Sequence, residues 1–206
     1  MKVLVFGSSQ ARDLYLFDDE TIHYIRAIRF KFFYKFHSGK SFEYILSNPH
    51  LIDEALNCRP DFVIVIFGAN SVSTEVEKKN VLDACRDFYQ LLYTKLNQQN
   101  VNAKLIASEC PMRYVYNLNH NTPPPPEFFK FRRSLIKKID CLREKHYKLR
   151  LSGKARLESE VCYRDGVHFT PEGLQTFFSN IIGCLQYILD KESWSYHTER
   201  SYPFEY

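Results

Sequence analysis

The run Phe62-Val63-Ile64-Val65-Ile66-Phe67 constrains the fold more than any other stretch of this chain. It is apolar throughout, rich in β-branched residues and without polar alternation, so Asp61 to Phe67 is predicted to be a strand buried on both faces. Such a strand belongs inside a parallel sheet with helices over each side. Val3-Leu4-Val5-Phe6 is a second short apolar run and Ala103 to Ser108 reads as a further strand. Ile28 to Phe36 differs from these, because Phe30, Phe32, Tyr34 and Phe36 alternate with Arg29, Lys31, Phe33 and Lys35, the pattern of an edge strand with one buried and one wet face. Aromatics interleaved with lysines also suit a nucleic-acid platform, but core on one side and solubilising charge on the other explains the pattern without a ligand.

Helical periodicity fills the intervals. Phe42, Ile45, Leu46, Leu51, Ile52 and Leu56, broken by Asn48-Pro49, predict two short helices between Ser41 and Asn57. Glu75 to Gln99 is predicted to be a long helix burying Val81, Ala84, Cys85, Phe88, Leu91, Leu92 and Leu96. Cys110 to Glu127, with Pro123 to Pro126, reads as a stiff surface excursion carrying His120, close to the active edge. Phe128 to His146 reads as a basic amphipathic helix, Tyr147 to Leu151 as a fifth strand, Gly173 to Leu189 as a final helix and Glu192 to Tyr206 as a tail. Strand and helix alternate throughout. The expected architecture is therefore a single three-layer α/β domain over 1–206 with a mostly parallel five-stranded, flavodoxin-like sheet.

Composition bounds the function. A chain of 206 residues, 45% hydrophobic and 25% charged, suits one soluble domain with a sizeable core. No apolar run approaches a membrane span, and Met1-Lys2 leads directly into a strand without the regions of a signal peptide. Cys58, Cys85, Cys110, Cys141, Cys162 and Cys184 lack Cys-x-x-Cys spacing, which argues against a zinc site and predicts six free thiols in an intracellular protein. The net charge of +4 is slight support for a nucleic-acid partner.

The chemistry gathers near the end, in Arg164-Asp165-Gly166-Val167-His168-Phe169-Thr170-Pro171-Glu172-Gly173. Thr170 suits a helix N-cap and Pro171 the first turn, so Asp165 and His168 fall three residues apart on the loop before a helix. A carboxylate so placed can accept the proton of one imidazole nitrogen and leave the other as a base. An isolated Asp-x-x-His suits a solvated turn equally well. Two distant stretches shift the weight: the first strand ends at Gly7-Ser8-Ser9 and the central one at Gly68-Ala69-Asn70, and in a parallel sheet the carboxyl ends share one edge.

With these residues in place, the chain resembles the SGNH or GDSL hydrolases, a superfamily of esterases and lipases. Gly7-Ser8-Ser9 is similar to the family's Gly-Asp-Ser block and puts Ser9 at the nucleophile position. Gly39, within His37-Ser38-Gly39-Lys40-Ser41, matches the block whose glycine N–H enters the oxyanion hole. Gly68-Ala69-Asn70-Ser71 matches the Gly-x-Asn-Asp block, with Asn70 giving its amide to that hole. Asp165 and His168 match Asp-x-x-His. Ser8 and Ser71 depart from the pattern, each standing where the family carries an aspartate, and Ser8 is a rival nucleophile that the block order disfavours.

The resemblance implies a serine esterase. Ser9 attacks an ester, His168 takes its proton, Asp165 steadies the imidazolium, and the N–H groups of Ser9 and Gly39 with the Asn70 amide hold the oxyanion, with no metal or organic cofactor. It also implies a short helix from Gln10 to Leu16 starting at the nucleophile. Some mobile genetic elements encode esterase domains of this type beside nucleic-acid-binding regions, and this chain resembles that branch as well. The alternative is an inert fold of the same kind used for binding, most plausibly of nucleic acid.

Overall fold

Strand β3 (Phe62–Ile66) is buried at every residue, as its unbroken apolar run demands. Beside it lies β1 (Lys2–Gly7), in parallel register from Val3 opposite Phe62 to Gly7 opposite Ile66. The structure, a computed structural model, describes residues 1–25, 30–68, 70–71, 78–99, 101–108, 126, 130, 147–149, 165 and 168–200. Among the described residues three further strands, β2 (Lys31–Phe36), β4 (Lys104–Ser108) and β5 (Tyr147–Leu149), extend this pair into a five-stranded sheet ordered β2-β1-β3-β4-β5. Every pairing in it is parallel.

The alternation of side chains divides the core into two layers. Leu4, Phe6, Val63, Val65, Leu105 and Ala107 face one way, against α2 (Phe42–Ser47), α3 (His50–Leu56) and α4 (Lys78–Gln98). Val3, Val5, Phe62, Ile64, Ile66 and Ile106 face the other, against α1 (Ser9–Ile25) and α5 (Pro171–Arg200). Helices thus cover both sheet faces, and the three-layer architecture holds. Phe88 of α4 is the node of the first layer, its ring centroid lying 5.3 Å from Phe42, 5.6 Å from Phe67 and 6.2 Å from Phe6. Burial of a phenylalanine contributes ~1.5–3 kcal/mol, and each aromatic pair ~0.5–1.5 more.

Several boundaries differ from the sequence reading. Helix α1 runs to Ile25 instead of ending at Leu16. Tyr15 and Leu16 are exposed, which breaks the apolar stripe, but Phe17 returns to the core with its ring 6.3 Å from Phe178 of α5. Helix α5 likewise continues through Arg200, so 192–200 is helix and not tail, and no glycine or proline between Leu189 and Arg200 stops it. Strand β2 starts at Lys31 and lies at the margin with Lys31 and Lys35 exposed, but its expected wet face is not wholly wet: Phe33 packs against the first layer while Phe32, Tyr34 and Phe36 pack against the second. The proline-rich excursion apart from Pro126, the basic helix apart from Lys130, and residues 201–206 lie outside the described residues.

Cys58, Cys85 and Cys184 are free, whereas Cys110, Cys141 and Cys162 lie outside the described residues. No helix among the described residues is long and apolar enough to cross a membrane.

Candidate active site

The order β2-β1-β3 makes the carboxyl edge between β1 and β3 a topological switch point, because the chain leaves β1 to one side and returns on the other. Crevices form there in open parallel sheets. Gly7 closes β1 at that edge. A Cβ on it would lie 2.5 Å from the Ile66 carbonyl oxygen and 2.9 Å from the Ala11 Cβ, so only glycine lets the two strands and α1 meet. The Ser8 N–H donates to the Ile66 carbonyl at 3.0 Å, and the Ser8 carbonyl accepts from Ala11 at 3.1 Å and Arg12 at 3.4 Å. Ser8 therefore caps the helix and Ser9 is its first residue, where backbone N–H groups lack helical partners and favour negative charge.

The two serines differ in how they are held. Ser8 is 1% exposed and donates from Oγ to Gln10 Oε1 at 2.6 Å; Ser9 is 7% exposed and stands 3.4 Å from the same oxygen. A bond of 2.6 Å is short and one of 3.4 Å is marginal, so Ser8 is committed to Gln10 while the Ser9 hydroxyl is easily turned elsewhere. Gln10, fully buried, is a site residue that the sequence reading missed. Its position directly after Ser9, in the first turn of a helix, was the available signal.

The loop after β2 joins this turn. His37 N–H donates to the Gly7 carbonyl at 2.9 Å, and Lys40 N–H to the His37 carbonyl at 3.1 Å. Gly39 has φ 73° with open space where a Cβ would stand, so glycine is needed there for its left-handed backbone and not for room. From the loop after β3, Asn70 Nδ2 donates to the Lys40 carbonyl at 3.3 Å. Ser71 Oγ accepts from Phe42 N–H at 3.2 Å and donates to Glu43 Oε2 at 3.4 Å. Backbone and side-chain bonds thus tie the three loops bearing Ser9, Gly39 and Asn70 to one another. His37 lies edge-on to Phe6, and burial pushes its imidazole below the usual range, with Glu54 opposing and Lys35, His50 and Lys40 reinforcing the shift.

Asp165 and His168 form a pair of a different kind. One carboxylate oxygen accepts from the His168 backbone N–H at 2.6 Å and the other lies 2.6 Å from His168 Nδ1. A carboxylate only accepts, so the short contact assigns the ring proton to Nδ1 and leaves Nε2 as the basic nitrogen. Thr170 caps α5 as its position predicts, Oγ1 accepting from Gly173 at 3.1 Å and the carbonyl from Leu174 at 2.8 Å. Between the pair and the cap, Phe169 is buried in the layer that contains Ala11 and Leu14 of α1, and its ring packs at a tilt against Phe177, centroids 5.4 Å apart. Phe169 thus anchors the histidine loop in the same apolar layer that holds Ala11 and Leu14 of the helix starting at Ser9.

The protein has the fold of the SGNH/GDSL hydrolases. A GDSL-like lipase from Bacteroides thetaiotaomicron gives a TM-score of 0.65 at 13% identity, over 93% of this chain and 88% of its own. A lipase/acylhydrolase from Enterococcus faecalis gives 0.64 at 18%, over 88% and 93%. An acetyl xylan esterase gives 0.64 at 17%, over 89% and 98%. No family model and no curated protein matches the sequence. At these identities the likeness establishes the fold alone.

Proposed function

We propose that the protein is a serine esterase acting through Ser9, His168 and Asp165. The observation that carries this reading is the Asp165 carboxylate gripping both the ring and the backbone of His168 at 2.6 Å, on a loop whose Phe169 shares an apolar layer with Ala11 and Leu14 of the helix that begins with Ser9. In the proposed reaction the Ser9 hydroxyl leaves its weak contact with Gln10 and gives its proton to His168 Nε2 as Oγ attacks the ester carbonyl. The tetrahedral oxyanion is met by the N–H groups of Ser9 and Gly39 and by the Asn70 amide. Collapse expels the alcohol, which takes the proton from the imidazolium, and the acyl group remains on Ser9. Water, deprotonated by His168, then releases the acid and restores the hydroxyl.

Two of the similar structures are described as an acetyl xylan esterase and an acetyl esterase, which supports a short acyl group for this chain as well. Turnover of a panel of p-nitrophenyl esters, from acetate to long acyl chains, tests the reading. Acetate and butyrate are expected to be hydrolysed, and Ser9→Ala to abolish the activity with circular dichroism unchanged. Full turnover by Ser9→Ala, or loss of turnover only in Ser8→Ala, would remove Ser9 from the mechanism.

A further inference from the structure

We infer that Glu43 is a positioning residue for the oxyanion hole, acting through Ser71, an inference that rests on the esterase reading. Helix α2 begins at Phe42, and its own N-cap, Ser41, makes no side-chain capping bond. The Phe42 N–H, one of the donors that a helix start leaves unpaired, is taken instead by Ser71 Oγ from the loop after β3. A hydroxyl has one proton, and Ser71 directs it over a long 3.4 Å contact toward Glu43 Oε2 in the same first turn of α2, while its buried setting limits other acceptors. Glu43 thereby biases the hydroxyl so that a lone pair faces Phe42, and Ser71 caps the helix from another loop.

This places three bonds between two short segments. Lys40, Phe42 and Glu43 on one side meet Asn70 and Ser71 on the other, at 3.3, 3.2 and 3.4 Å. Gly39 immediately precedes the first segment, and Asn70 opens the second. The separation between the Gly39 N–H and the Asn70 amide, the two donors assigned to one oxyanion, is thus set by this clamp. Ser71 is 3% exposed, so water does not readily replace Glu43 as the acceptor. The other carboxylate oxygen of Glu43 is buried without a hydrogen-bond partner among the described residues, an unfavourable arrangement of the kind retained where a site requires it.

The test combines kinetics with the side-chain amide resonance of Asn70 in ¹H–¹⁵N spectra. Glu43→Ala is expected to move and broaden that resonance and to lower kcat by ~10–10²-fold with KM unchanged, because the donors are displaced only slightly. Glu43→Gln keeps an acceptor for Ser71 and restores both readouts to near wild type. Ser71→Ala reproduces the loss, and Glu43→Ala with Ser71→Ala is no worse than Ser71→Ala alone, because the two act in series. An Asn70 resonance and kcat unaltered by Glu43→Ala overturn the inference, as do losses that multiply in the double variant. If the wild type turns over no ester, the esterase reading fails, and the resonance alone then decides whether Glu43 holds the clamp.

Discussion

Replacing Asp165 by asparagine tests the geometry of the site more sharply than deleting the side chain. The wild-type carboxylate accepts twice, from the backbone N–H and from Nδ1–H of His168, at 2.6 Å each. Asparagine has one acceptor oxygen and one NH₂. If its oxygen serves the backbone N–H, the NH₂ faces Nδ1 and forces the ring proton onto Nε2, the nitrogen that must accept from Ser9. If it flips, two donors face each other at the backbone. Either way the productive tautomer is disfavoured, and kcat is expected to fall ~10²–10⁴-fold with KM little changed. Asp165→Ala leaves Nδ1 to water and imposes no tautomer, so it should retain more activity than Asp165→Asn.

The effect on stability is separable. Hydrogen bonds to charged groups contribute ~1.5–3 kcal/mol each. Asp165 keeps 35% of its side chain exposed, so after discounting for solvent a loss of about 1–2 kcal/mol is reasonable for the asparagine variant. In a domain of this size that lowers Tm by roughly 2–8 °C. Steady-state turnover of p-nitrophenyl acetate and a thermal melt measure both. An asparagine variant within about threefold of wild-type kcat, or one clearly more active than Asp165→Ala, would refute the tautomer argument.

Asn70→Ala should lower kcat by ~10²–10³-fold with KM nearly constant, since the oxyanion exists only in the transition state; a rise in KM alone would make Asn70 a substrate contact. Gly7→Ala forces a Cβ to 2.5 Å from the Ile66 carbonyl and should destabilise by about 1–3 kcal/mol, seen as a Tm lower by several degrees; an unchanged Tm would show that the β1–β3 junction yields easily. His37, pushed down by burial, binds its proton more readily in the unfolded chain. Its share of stability is present above an ordinary imidazole value of about 6.5 and is lost as pH falls through the lower folded value, so His37→Gln should flatten the fall in Tm between about pH 7.5 and about pH 5. Identical slopes in the two proteins would contradict this.

The strands were legible because their pattern is local. Phe62–Phe67 could only be buried on both faces, and Tyr34 to Phe36, with lysine at Lys35, could only sit at a margin. Helix ends were harder, since Leu16 and Leu189 close an apolar stripe without closing the helix; Phe17 and the absence of glycine or proline between Leu189 and Arg200 carried α1 and α5 onward. Asp165, His168 and the Thr170 cap were readable because their contacts span only a few residues. Glu43 was not. Its role depends on Ser71, 28 residues away in sequence, and a carboxylate in a first helical turn has an ordinary explanation in the helix dipole. For Gln10 the one signal is its place directly after Ser9 in a first helical turn; that its amide accepts from both neighbouring hydroxyls shows only in the fold.

Covalent trapping tests whether Ser9 is the nucleophile. The purified protein is treated with a fluorophosphonate, which reacts with an activated serine as an ester does, and the labelled peptides are mapped by mass spectrometry. One phosphonylated residue is expected, Ser9, at close to one label per chain, absent in Ser9→Ala and strongly slowed in His168→Ala. No labelling under conditions in which p-nitrophenyl acetate is hydrolysed, or label carried by Ser8 in place of Ser9, would contradict it.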